Sequence, residues 1–175
     1  MRSFIVPLIY FAAATWFYLF SGSAEGFIPP RLLVFPVFLA ALGHTLFILT
    51  RIIRSIFSRT PHINTGHYAS IIGFLFILIS FKLGTDLDNA RIVESMHRGD
   101  IILDRIGMFK DNVGRCPIDL DELRNKDVQL PKPALRKSEF QYWTGPYDQC
   151  QLSFDSVAFV ACRKRLNAVE WFCDD

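Results

Sequence analysis

Three apolar runs separated by short polar stretches occupy the first half of the chain: Phe4–Phe20, Leu32–Thr50 and Tyr68–Leu83. The first holds about 17 residues without a charge, just enough to cross a bilayer core as a helix. The second is similar. The third is short, but Lys82 can snorkel its ammonium to the interface. Pro7 and Pro36 lie inside the first two runs, and a lipid-embedded bundle tolerates them because neighbouring groups re-satisfy the freed carbonyls. The pattern predicts a transmembrane region of three helices over residues 1–83. For the first run the alternative is a cleaved signal peptide, with Arg2 as its basic start and Gly22-Ser23-Ala24 as a small-residue site. Trp16, Tyr18 and Phe20 are bulky for such a segment.

From Gly84 the pattern changes. Thr85 or Asp86 reads as an N-cap, so a new helix is expected to start there. Ile92, Met96, Leu103, Ile106 and Phe109, with Ile102 beside them, recur at helical spacing. Gly99 is a weak point that can bend this helix. Gly114 suits the C′ position, and Pro117 stops further helix. A short helix over 117–124 follows, with Asp119 as its cap and Leu120 and Leu123 facing inward. After Pro131-Lys132-Pro133 the period becomes two. Phe140 and Tyr142 alternate with Gln141 and Trp143, and Thr144-Gly145-Pro146 turns. Gln149–Phe154 and Val157–Cys162 flank Asp155-Ser156 as a tight hairpin, and Ala168–Cys173 makes a last strand after the polar turn Arg163–Asn167. Residues 84–175 are thus expected to form a two-layer α+β domain, one long helix packed on an antiparallel sheet of about four strands.

Charge gives these elements a side. Glu25 is the one acid before Asp86, and the other 16 of 17 lie in Asp86–Asp175 beside 13 Lys and Arg. That slight acidic excess is an ordinary solvated surface and excludes a nucleic-acid footprint. Arg51, Arg54 and Arg59 stand without an acid in the second connection, which places that loop and the N-terminus in the cytoplasm. Residues 84–175 then lie outside, in the periplasm of a bacterial inner-membrane protein. Cys116, Cys150, Cys162 and Cys173 all fall there. Four cysteines without a close C-x2-C pair read as two disulfides in an oxidising compartment rather than a zinc site, with three pairings open.

The run MFKDNVGRCPIDLDEL from Met108 to Leu123, with Leu130-Pro131-Lys132-Pro133 and the aromatic Phe140-Gln141-Tyr142, is similar to the periplasmic domain of type IV pilins and the major pseudopilin of type II secretion. The resemblance covers residues 87–175. It implies an amphipathic helix ending at a glycine, a proline-set turn, and a leucine that plugs the seam between helix and sheet. The chain departs from that family in carrying three apolar runs, no prepilin-peptidase site before the third, and no acid inside it.

No catalytic constellation emerges. His44, His62, His67 and His97 are scattered, and H-E-x-x-H, G-x-S-x-G and phosphate-loop motifs are absent. His44 is the ionisable residue well inside an apolar run, a functional candidate by position, against the plainer reading of an imidazole bonded to a neighbouring carbonyl. Asp155, Asp174 and Asp175 resemble remnants of the pseudopilin calcium loop, but calcium needs six or more oxygens and the sequence does not show them converging. Trp143, Pro146 and Tyr147 make an aromatic turn suited to anchoring a protein partner, unless the sheet buries them. The expectation is a non-enzymatic membrane protein without a cofactor, whose outer domain binds another protein. An immunity protein against a membrane- or periplasm-acting toxin is one version. An accessory protein of a type IV pilus or type II secretion system is the other.

Overall fold

Apolar side chains around the whole circumference form α1 (Ile5–Phe20), α2 (Pro30–Ser58) and the first part of α3 (Thr65–Val113). The computed structural model describes residues 5–24, 30–58, 65–123, 129–146, 149–157 and 160–174. The chain divides into two compact units at Asp86–Leu87, and the second unit also takes in the Gly22–Ala24 segment.

In the first unit α1 buries Tyr10, Ala14, Phe17 and Ser21, one stripe at helical spacing. Tyr10 meets Gly73, Phe11 meets Phe76, Phe17 stacks on Phe81, and Ser21 meets Gly84, so α1 and α3 run in the same direction. Pro7 sits in the first turn of α1, where its missing N–H has no intrahelical partner to lose. The opposite faces stay apolar, with Leu8, Leu19, Phe35, Phe47, Ile56 and Ile79 about half exposed or more. Two segments, Phe35–Phe57 and His67–Val113, hold stretches long and apolar enough to cross a membrane, whereas α1 has 16 residues and is shorter. This composition points to membrane association.

The expected helix start at Gly84 does not occur, because α3 is continuous from Thr65 to Val113. A Cβ on Gly84 would lie 2.4 Å from Ser21 Oγ and 2.7 Å from Phe17 Cε1, so glycine is there for close helix packing. Thr85 donates its hydroxyl to the Phe81 carbonyl at 2.8 Å, and Lys82 pairs with Asp86 one turn on. The residues that read as caps are helix-interior positions whose polar groups bond within the helix.

The second unit lays the rest of α3 on a sheet of four antiparallel strands in sequential order: β1 (Phe140–Gly145), β2 (Gln149–Asp155), β3 (Ala161–Arg165) and β4 (Phe172–Asp174). Ile102, Leu103 and Ile106 are buried with Cys116, Cys150 and Leu152, and Leu120, Leu123 and Tyr142 pack around them. A second cluster of Leu135, Phe154 and Cys162 receives Ile92 and Met96. The expected stripe is therefore the core, with Phe109 half-buried at its end, beneath the Arg115 guanidinium 5.6 Å from the ring centroid. At Gly99 the helix continues, and the glycine makes room for a ring. The Trp171 ring lies against it, and a Cβ there would come within 2.5 Å of Trp171 Cζ2.

Polar residues on α3 tie the layers together. Ser95 is fully buried, donates to the Arg91 carbonyl at 2.7 Å and accepts the Ala134 N–H at 2.9 Å. Asp100 accepts from Lys164 Nζ at 3.0 Å and Trp171 Nε1 at 2.9 Å. Asp88, also buried, accepts the Gly22 N–H. The Gly22 carbonyl accepts from Arg91 Nη1 and from the Arg136 N–H, both at 3.0 Å, while Ala24 N–H donates to the Arg136 carbonyl. Ser23 and Arg136 thus pair as a parallel bridge, and the small-residue stretch is built into this unit.

Gly114 ends α3 at φ +82°, with its N–H on the Lys110 carbonyl at 2.8 Å. The short helix that follows is a 3₁₀ turn, Leu120–Leu123, and Asp119 Oδ1 caps it through the N–H groups of Asp121 and Glu122. Two expected strands shift. The hairpin after β2 is not the two-residue turn Asp155-Ser156: Asp155 pairs with Ala161, and Ser156 N–H bonds the Val160 carbonyl across a longer loop. Strand β3 therefore starts at Ala161 and continues through Arg165, into residues expected to turn, because this register sets Cys162 beside Phe154 on the core side. β4 is confined to Phe172–Asp174.

Two disulfides form, Cys116–Cys150 and Cys162–Cys173, which fits an oxidising compartment. The first pins the segment after α3 to β2, and the second joins facing residues of β3 and β4. Between Cys116 and the 3₁₀ turn, Glu122 accepts from Arg115 at 3.1 and 3.2 Å and from the Ile118 N–H at 2.9 Å. The Arg115 hydrogen bonds first, then that N–H, hold its carboxyl below the ordinary carboxylate range. A lowered pKa stabilises the fold above the unfolded-state value, and this contribution is lost as pH falls through the folded-state one. Thermal melts between about pH 3 and 6 should show a smaller acid-side loss of stability for Glu122→Gln than for the parent chain. Superimposable profiles would remove Glu122 from the account.

Candidate functional site

The sheet has two unlike faces. Cys150, Leu152, Phe154 and Cys162 point toward α3 and are buried, so the alternate residues form an outer face. Register places those residues in rows. Trp143 pairs with Gln151 and Gln151 with Arg165. Gln141, Ser153, Arg163 and Phe172 make the next row, and Asp155, Ala161 and Asp174 the one after.

Trp143 is 55% exposed on this face. Its indole lies along its own strand over Gly145, where a Cβ would come within 2.4 Å of Trp143 Cη2, so glycine makes room for the ring. Pro146 is exposed just beyond, and Tyr147 lies outside the described residues. At the opposite edge Phe172 is 58% exposed, with the Arg163 guanidinium 5.3 Å from its ring centroid. Arg163 also pairs with Asp174, an exposed ion pair that contributes at most about 1 kcal/mol. Arg165 is exposed, and among the described residues its guanidinium has no hydrogen-bond or ion-pair partner. A concavity of about 440 Å³ lies here, lined by Gln151, Arg163, Lys164, Arg165, Glu170 and Phe172 among others.

Sequence reasoning singled out Trp143 and Pro146 but missed Arg163, Arg165 and Phe172. The missed signal was the alternation of Cys162 and Lys164 with Arg163 and Arg165, hidden once Arg163–Asn167 was read as a turn.

In the first unit the Tyr10 hydroxyl lies 3.0 Å from His44 Nδ1, so the imidazole is bonded to a phenol rather than to a carbonyl. Beside it Thr45 Oγ1 is buried with no hydrogen-bond partner among the described residues. His67 and His97 lie far along the chain from His44, and His62 falls outside the described residues. Among the described residues no three His, Cys, Asp or Glu side chains converge to hold a metal. Asp174 pairs with Arg163, and Asp155 accepts from Gln141 Nε2 at 3.4 Å.

Comparison of the chain with protein-family models, with curated proteins and with solved structures finds no match.

Proposed function

We propose that this chain is a non-enzymatic bacterial inner-membrane protein whose disulfide-stapled domain faces the periplasm and binds another protein. The outer sheet face carries the reading: two exposed aromatics flank arginines on a rigid four-stranded platform, the side-chain types that dominate binding hot spots. Three transmembrane helices anchor the platform. The parallel run of α1 and α3 supports that count, because two helices of one direction with α2 between them suit an in–out–in–out path. The arginines of the second connection orient the path with the N-terminus inside.

A reporter enzyme active only in the periplasm should work when fused after Asp175 and stay silent when fused at Thr60. The opposite pattern would overturn the placement. For binding, a photo-crosslinking amino acid at Trp143, at Phe172 or at Met108 on α3 should yield discrete adducts with a protein in living cells. No adduct from any of the three sites defeats the reading.

Within this class we favour an immunity protein against a toxin acting at the membrane or in the periplasm, by analogy with small polytopic chains that lack catalytic motifs. A second reading, an accessory protein of a type IV pilus or type II secretion system, draws on the long helix laid across an antiparallel sheet. Protection of a sensitive strain on co-expression with an adjacent toxin gene supports the first. Loss of piliation or secretion on deletion supports the second.

A further inference from the structure

Resting on the protein-binding reading, we propose that the partner presents an acidic segment that lies across the outer sheet face, its carboxylates over Arg165 and Arg163 and its apolar side chains against Trp143 and Phe172.

Residues 86–175 carry more acids than bases, yet the two central rows of this face hold two arginines, glutamines and a serine, and no acid. The concavity beside them is lined by two cations of this face, Arg163 and Arg165, against one carboxylate, Glu170, while Lys164 at its wall gives its ammonium to Asp100 on the α3 side. Lys164 is engaged by Asp100 and Arg163 by Asp174, which leaves Arg165 as the cation with the most to gain from a carboxylate. A bidentate guanidinium–carboxylate pair supplies direction as well as attraction.

The spacing argues for a polypeptide. Trp143 is on β1 and Phe172 on β4, three strand intervals apart, roughly 14 Å at the usual interstrand distance. An extended segment of about four or five residues bridges that span, whereas a single carboxylic acid or phosphate reaches one anchor at most. A lipid headgroup shares the charge preference. Exposed aromatics also suit a membrane interface, so the vesicle arm of the test below separates the two.

The test selects from a random 12-residue peptide library against the full chain in zwitterionic nanodiscs. Enriched peptides should combine Asp or Glu with aromatic or aliphatic residues. Their affinity should fall at least tenfold for Arg165→Glu and for Trp143→Ala, and again at least tenfold on raising salt from about 50 to 500 mM. Lys132→Glu, an exposed cation elsewhere on the domain, should leave affinity within twofold. Unchanged thermal melting of Arg165→Glu shows that the loss is not unfolding. Neutral or basic selected peptides, no enrichment, or equal loss with Lys132→Glu overturns the proposal. So does retention by phosphatidylglycerol vesicles in place of peptides. Photo-crosslinks arising at Met108 alone would refute this face while leaving protein binding intact, so the two readings fail separately.

Discussion

Truncating Ile106 to alanine should destabilise the second unit by about 2–5 kcal/mol, a large share of what a domain of this size holds. Ile106 is fully buried where α3 meets Cys150 and Leu152, so removing its side chain leaves a cavity bounded by a helix, a sheet and a disulfide. Those walls relax little, which puts the cost toward the upper part of the range. Asp104→Ala, two residues away on the exposed face, should change stability by no more than about 0.5 kcal/mol. Hydrogen exchange of the β2 amides in the detergent-solubilised chain would read both. Equal protection in the two variants would mean that α3 does not pack on the sheet through this stripe.

Removing the Cys116–Cys150 bridge is the other large effect expected. A disulfide in a small domain typically contributes about 2–4 kcal/mol, more for a longer closed loop. This one spans 34 residues, against 11 for Cys162–Cys173. Cys116→Ser should therefore lower the midpoint of denaturation more than Cys173→Ser does, and render residues after Gly114 protease-sensitive. Titration of the parent chain from an oxidising compartment should find no free thiol before reduction and four after it. Four free thiols before reduction, or a Cys116→Ser variant as stable as the parent, would end the argument that the bridges hold this unit together.

Local signals in the sequence were reliable where one physical effect decided the outcome. The stripe from Ile92 to Ile106, the Gly114 terminus, the Asp119 cap and the order of four strands each rest on a single preference for burial, backbone angle or side-chain hydrogen bonding. Distant partners misled it. Gly84 reads as a helix breaker because its neighbours in sequence are cap formers, yet Phe17 and Ser21 on another helix are what require a glycine there. Asp155-Ser156 reads as a turn, but the pairing of Cys162 with Cys173 and with Phe154 fixes a register that leaves a longer loop. Ser95, Asp88 and Asp100 look like ordinary polar residues of an amphipathic helix. Their importance lies in the Ala134 N–H, the Gly22 N–H and the Trp171 indole, which no periodicity reveals. The outer face was half legible for the same reason: Trp143 announced itself, while Arg163 and Arg165 gained their places only through strand register.

The bridge between Ser23 and Arg136 imposes an order of events on a chain made from its N-terminus. Its two sides are 113 residues apart, so the Gly22–Ala24 segment emerges long before its hydrogen-bonding partner exists. At synthesis rates of about 5–20 residues per second the wait is on the order of ten seconds. Asp88 and Arg91 reach Gly22 earlier, after 66 and 69 residues, so for the rest of that interval Ser23 and Ala24, small residues beside an apolar helix, are the ones still lacking their partner. Once Arg136 arrives, their backbone groups are engaged and Ser23 is buried. The stretch is therefore closed off only once residue 136 has been made, and a chain stopped short of it should be cut by added protease at Ser23–Ala24 where the whole chain is not.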